Sequence, residues 1–420
     1  MNLSRRHLLG LGAAGLLLPR PVLSAPNAAG RRFLFIHCDG GWDPAFVFVP
    51  ELLGKIDHEG DVTASEIAGV PFIDSPTRAP VRQFLEKYGA QTAVLNGMEV
   101  RSITHERCRR IILTGSGEGS TDDWPSILAA HSSAGLLLPH LVMDGHAFNS
   151  LHADQVVRVG DEGQLPALLS GDALNYRAEG VVRPPAESIE DAFLREHVSA
   201  LAQSANTQAE ANFYQRYATV LEANHQLQSA GADLNLDPDK LGCERDLLED
   251  AATIFDCFER DLSRCGMMAY NGWCAEGWDT HQNLPKQGLN FHDLFVYLTG
   301  ILDDLQERKA PDGSPLADST TVVVFSEMGR APLLNTWGGK DHWTFTSCML
   351  IGSGIRGGQA VGALDDQARG AAIDLSSGAA FESGTRLTAS NLGATLLALG
   401  DVDPGDYTDS APLTAVMEGA

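Results

Sequence analysis

The sequence predicts an α/β fold: one mainly parallel central sheet, helices on both of its faces, and a helical insertion. Three observations lead there. Strand-length apolar runs alternate with segments of helical period along the chain. The run 33–38 is almost continuously apolar, as befits a strand covered on both faces. Polar clusters follow two such runs, and open α/β sheets gather ligands beyond their strand ends.

Residues 1–29 read as a targeting segment. Ser4-Arg5-Arg6-His7-Leu8-Leu9 is a twin-arginine motif, 8–18 is a short apolar core, and small residues at 24–29 offer cleavage points, Ala25 the preferred one. The other reading is an uncleaved anchor, for which the core is short. Predicted strand 33–38 ends at the glycine turn Asp39-Gly40-Gly41-Trp42-Asp43. A second strand covers 92–96, and a polar loop at 100–104 opens a helix over 105–113 that stops at Gly115. Asp122 or Asp123 caps a helix at 124–131, and 140–143 reads as a strand.

The stretch 187–228 is rich in Ala, Glu and Gln and reads as two polar amphipathic helices. Residues 184–242 are taken as the insertion, either a lid or a plain cover over one sheet face. A further helix at 244–264 carries Leu247, Ala251, Ile254, Phe255 and Phe258 on its apolar stripe. Strand 267–271, helix 290–306, and strands 320–325 and 348–351 follow. The glycine run 352–358 is no phosphate loop, because no helix follows it and the lysine is missing. Thr388 caps a last helix, 389–399, which ends at Gly400.

The 420 residues, 44% hydrophobic and 20% charged, suffice for one large domain with an insertion. A net charge of −25 argues against nucleic acid and anionic membrane surfaces as partners, and demands local cations if the substrate is anionic. Lysine is scarce, six in all, and Lys340 adjoins Asp341-His342. The seven cysteines are odd in number and lack a Cys-x-x-Cys pair, so a zinc ribbon is excluded. Buried free thiols are expected, with room for one disulfide after export.

Three polar clusters carry the chemistry: Gly277-Trp278-Asp279-Thr280-His281, Ser326-Glu327-Met328-Gly329-Arg330 and Gly339-Lys340-Asp341-His342-Trp343. Asp279 and His281 are two apart, so on extended backbone both face one way, a workable spacing for two ligands of one cation. Glu327 follows a buried strand and needs a partner, which Arg330 could be. His105 opens a helix, where a histidine is either a cap or a functional group.

As an ordered set these motifs resemble one large bacterial family. They are the twin-arginine signal, a strand plus Gly-Gly-x-Asp, a His-led helix ending in Thr-Gly, Gly-Trp-Asp-Thr-His, Ser-Glu-x-Gly-Arg and Asp-His-Trp. The family is the exported domain-of-unknown-function fifteen-oh-one family, related to sulfatases and alkaline phosphatases. The resemblance implies an alkaline-phosphatase-like α/β/α sandwich, and no particular substrate. The segment from His105 to Gly115 is also similar to the sulfatase signature, with Arg109 at its arginine and His105 where sulfatases carry the modified cysteine. Imidazole cannot become a formylglycine, so hydrolysis would use His105, Thr104, Ser102 or water acidified by a cation. Asp279, His281 and His342 resemble a first metal site, although the usual spacing is Asp-x-x-x-His and here it is Asp-x-His. Ser326-Glu327 stands where a second site has Asp-His, and the bridging aspartate is Asp39 or Asp43.

Two functions follow from this reading. One is an exported, metal-dependent hydrolase of phosphate or sulfate esters, acting on a small anionic ester or an exported polymer in the periplasm or beyond. Its metal would be zinc, manganese or calcium on Asp279, His281 and His342, with Asp341 an orienter or an alternative ligand. Glu327 would be general base or a further ligand, Arg330 or Arg109 would hold the anion, and His105 would protonate or hold the leaving group. The other is a catalytically inactive sulfatase-like binding or assembly factor. In either case the twin-arginine translocase is the partner during export, and no membrane contact remains after cleavage.

Overall fold

A computed structural model describes residues 30–58, 60–132, 135–159, 185–231, 247–275 and 277–419. The expected targeting segment, residues 160–184, Cys243 and the end of the insertion lie outside them. Eight strands form the central sheet: β1 (Arg32–Cys38), β4 (Thr92–Glu99), β5 (His140–Val142), β6 (Val156–Arg158), β7 (Cys265–Tyr270), β8 (Thr320–Phe325), β11 (Phe345–Gly352) and β12 (Gln359–Val361). Short pairs make the rest: β2 (Thr63–Ile67) with β3 (Val70–Asp74), β9 (Gly329–Arg330) with β10 (His342–Trp343), and β13 (Ala372–Ile373) with β14 (Thr385–Arg386).

The sheet order is β12-β4-β11-β8-β1-β7-β5-β6. Every neighbouring pair is parallel except β11, which runs antiparallel to both β4 and β8. The four expected strands at 33–38, 92–96, 267–271 and 320–325 thus all lie in one mainly parallel sheet, as predicted. β1 is central and every one of its residues is buried, which explains why its sequence shows no polar alternation.

Side chains of β1 alternate between two cores. Leu34, Ile36 and Cys38 join one with α1 (Ala79–Tyr88), α6 (Leu247–Glu259) and α7 (Pro285–Glu307). Phe33 and Phe35 join the other with α2 (His105–Thr114), α3 (Trp124–Ala130) and α8 (Ala389–Leu399). Helices therefore cover both faces, the layered solution that a sheet apolar on both sides requires. The remaining helices, α4 (Pro185–Gln203) and α5 (Gln208–Gly231), fall in the expected insertion and pack against each other.

Local signals held well. Asp123, not Asp122, caps α3: its carboxylate accepts from Ser126 N at 2.8 Å. Asp122 instead accepts from the backbone at Ser150, Leu151 and His152. Gly115 ends α2 in the left-handed conformation, φ +72°. Among the described residues no helix is long and apolar enough to cross a membrane. The six described cysteines are free thiols, all buried except Cys274.

Candidate metal centre

The three polar clusters meet at the C-terminal ends of β1, β7 and β8, joined by the N-terminus of α2. Trp278 sets the first in place. It is fully buried against Phe291, 4.8 Å between ring centroids, and its Nε1–H donates to Tyr270 O at 3.1 Å. Anchored there, the extended loop points Asp279 and His281 at the β9–β10 hairpin. Gln287 of α7 knits the loops together. Its amide nitrogen donates to Gly41 O, Trp278 O and Thr280 Oγ1, and its oxygen accepts from Asp43 N at 2.9 Å.

Asp279, His281 and His342 form a small triangle. Asp279 Oδ1 lies 3.2 Å from His281 Nε2 and 3.5 Å from His342 Nε2, and the two Nε2 atoms are 3.0 Å apart. The outer nitrogens decide what these atoms present. His342 Nδ1 is 2.6 Å from Ile103 O, which can only accept. His281 Nδ1 is 3.2 Å from Asp341 Oδ1, whose carboxyl Asn335 and then His281 hold below the usual range. Both Nδ1 atoms therefore carry the hydrogen, and in the neutral rings both Nε2 atoms present lone pairs. Three lone pairs facing one another at 3.0–3.5 Å need a proton or a cation between them. Zinc at 2.0–2.1 Å from tetrahedral donors places those donors about 3.4 Å apart. The carboxylate and carbonyl behind the two imidazoles match the outer-shell pattern of metal-bound histidines.

His105 extends the cluster inward. Its Nδ1 is 2.7 Å from Glu327 Oε1 and its Nε2 is 3.5 Å from Asp279 Oδ2. His105, Asp279 and His342 also offer ligand atoms within 4.8 Å of one another. Asp279, then Glu327, push the His105 pKa up to about 9, against burial. Burial alone would raise Asp279, but His105, His342 and Arg330 outweigh it and hold the carboxyl well below its usual range. Glu327 behaves alike, with burial offset by His105 and His37.

Several expected roles change. Glu327 is wholly buried and accepts from Gly40 N, Ser326 Oγ, His37 and His105, so in this structure its oxygens face those donors and not solvent. Arg330 does not pair with Glu327. Its buried guanidinium donates to the carbonyls of Gly40, Gly41, Trp278 and Lys340 and to Asp279 Oδ1 at 2.8 Å. Arg109 gives both Nε and Nη2 to Asp39 Oδ1, each at 2.8 Å. Asp43 stands apart from the cluster, in a buried ion pair with Lys340 at 2.7 Å. Ser326 binds Trp42 N and Cys38 O and so closes the turn after β1. Asp39 lies with His37 and His146, which the sequence reading did not single out; Gln287 and Asn335 carried no sequence signal at all.

Gly40 is one of the glycines on which the site's closure depends. Its φ is +117°, and a Cβ there would fall 2.8 Å from Asp279 N and 2.9 Å from Trp278 N. Gly40→Ala is expected to destabilise the protein by about 1–3 kcal/mol from backbone strain alone, before any clash. A urea midpoint unchanged from wild type would show that the two loops do not meet as described.

Fold and cluster together define a mixed α/β protein with a histidine–carboxylate centre at one edge of its sheet. Residues 244–404 match the model of a family described as "Protein of unknown function (DUF1501)". A comparison with curated proteins finds no match. Among solved structures, the chain is similar to the lipoteichoic acid synthase LtaP from Listeria monocytogenes (TM-score 0.42, 9% identity, 94% of this chain and 78% of that one). It is also similar to a protein in the alkaline phosphatase superfamily from Vibrio parahaemolyticus (0.38, 10%, 97% and 80%). A third is a sulfatase from Pseudoalteromonas sp. (0.36, 11%, 92% and 72%). Each is a distant likeness of chain course.

Proposed function

We propose that this protein is a divalent-cation-dependent hydrolase of phosphate or sulfate esters. The observation that carries the reading is the triangle of lone pairs on Asp279, His281 and His342. These residues would hold the cation, with Asp341 and the Ile103 carbonyl fixing the imidazoles. Two nitrogens and one oxygen suit zinc or manganese better than calcium, which takes six to eight oxygens. A bound divalent ion would supply positive charge for an ester oxygen and lower the pKa of water. That charge matters more here because Arg330 and Arg109 are both engaged within the protein. His105 would give its Nε2 proton to the leaving oxygen, while Glu327 holds the ring by Nδ1.

The test begins with metal content. Protein purified without chelator should carry a divalent metal, and His281→Ala should lose it while keeping its circular dichroism spectrum. His105→Asn should keep the metal and lose about 10²–10⁴-fold in kcat toward an aryl phosphate or sulfate, the usual span for a general acid. Folded wild type that binds no metal ends the reading.

A second reading has its own observation. Glu327 is sealed from solvent. A factor that binds an anionic group without cleaving it would need only the cation. Full metal occupancy with no turnover of any ester would favour it.

In both readings the protein acts after twin-arginine export, outside the cytoplasmic membrane. Lysine at both Arg5 and Arg6 should leave uncleaved precursor in the cytoplasm; normal export of that variant would refute the assignment.

A further inference from the structure

We propose a second cation site, formed by His37, Asp39 and His146 on the opposite side of Glu327 from the Asp279 triangle. It stands beside the first-site reading and does not depend on it.

The three residues offer ligand atoms that all lie within 4.8 Å of one another. Their convergence follows from the fold. His37 lies in β1, and Asp39 opens the turn just past its end, where it meets Arg109 of α2. His146 follows Gly145, which adopts φ +97° next to β7, with its Cβ position 3.5 Å from Ala269 Cβ. That turn swings His146 over the strand end, edge-on to His37 at 5.9 Å between ring centroids.

Among the described residues, two polar atoms in this group have no partner. His37 Nδ1 and His146 Nδ1 are both buried and both lack a hydrogen bond. His37 is 0% exposed, stacked on Phe325 at 5.0 Å. Its other nitrogen, Nε2, lies 3.3 Å from Glu327 Oε2, which accepts. The hydrogen of neutral His37 therefore sits on Nε2, and Nδ1 presents a bare lone pair. Leaving a buried acceptor unsatisfied is costly, and native proteins rarely do so without reason. Here the His37 lone pair, the unpartnered His146 ring nitrogen and the Asp39 carboxylate lie together. Arg109 occupies Asp39 Oδ1, which leaves Oδ2 to serve as the third donor.

Glu327 ties the two groups together. Oε1 accepts from His105 of the first cluster and Oε2 from His37 of the second. One buried carboxylate thus orients a histidine on each side, and for His37 that is the support a metal-binding imidazole requires. The donor set, two imidazoles and one carboxylate, selects a borderline divalent cation such as zinc or cobalt.

The test uses the mature exported protein, stripped with chelator, dialysed and titrated with zinc by calorimetry, with cobalt absorption as a second readout. Wild type should bind two equivalents. His146→Gln should bind one, His281→Gln should bind one, and the double variant none. His146 is partly exposed, so its variant should fold; Asp39→Asn tests the same site if it does not. A single equivalent in wild type, retained by His146→Gln and lost in His281→Gln, overturns the second site and leaves the first. A single equivalent lost only in His146→Gln supports this site and overturns the first. No binding overturns both.

Discussion

Replacing Lys340 with methionine is expected to lower stability by about 3–5 kcal/mol, the usual consequence of removing one partner from a buried ion pair. Lys340 Nζ and Asp43 Oδ2 are 2.7 Å apart and both side chains are essentially inaccessible. Methionine keeps the length and apolar stem of lysine but leaves the Asp43 charge alone in the interior. The pair also pins the loop that carries Asp341 and His342 against the turn after β1. Lys340 N donates to Thr280 O at 3.2 Å, and its carbonyl accepts from Arg330. Asp43→Asn/Lys340→Met removes both charges and preserves the Asp43 cap on Ala45 N. It should regain most of the loss in urea unfolding. Equal midpoints for the single and double variants would show that the stranded charge is not what destabilises.

Acid should weaken the fold through His140. The ring is fully buried at the start of β5, with Nδ1 3.3 Å from Ser126 Oγ and Nε2 without a partner among the described residues. Burial, with a smaller contribution from Arg158, pulls its pKa down to about 3. In the unfolded chain it titrates near 6.5. Above that pH both states are neutral and His140 contributes no slope. As pH falls from 6.5 toward 3, only the unfolded chain takes up the proton, so stability falls by about 1.4 kcal/mol per unit. Between neutrality and a pH two units below 6.5, the loss from this group is about 2–3 kcal/mol. His140→Leu should remove that part of the slope, while carboxylates common to both proteins keep theirs. Identical pH profiles for wild type and variant would refute the account.

Much of the fold was legible because it depends on local pattern. The apolar runs at 33–38 and 320–325 are buried on both faces, and that condition is visible residue by residue. The caps at Asp123 and Gly115 act within three or four residues of chain and were equally readable. The antiparallel course of β11 was not, because direction within a sheet comes from the crossover connection and leaves no mark on the strand itself. Within the cluster, Asp279 and His281 were found by their spacing. Glu327 and Arg330 were found by type but wrongly paired with each other, since charged residues of opposite sign three apart look like partners. In the fold each turns to loops far along the chain: Glu327 to Gly40 and His105, Arg330 to Gly40, Gly41 and, nearer in sequence, Asp279.

The sequence by itself determined the alternation of strand and helix, the burial of β1 and β8, and the supply of carboxylates and imidazoles at the sheet's edge. Those follow from hydrophobic period and residue chemistry, which operate over a few residues. Tertiary structure alone decided that His342 and His281 meet at 3.0 Å, that Asp43 is spent on Lys340, and that His37 joins Asp39 and His146. Each of those depends on which lone pair faces which hydrogen across loops joined only by packing, with Trp278 and Gln287 as the wedges that set the distances.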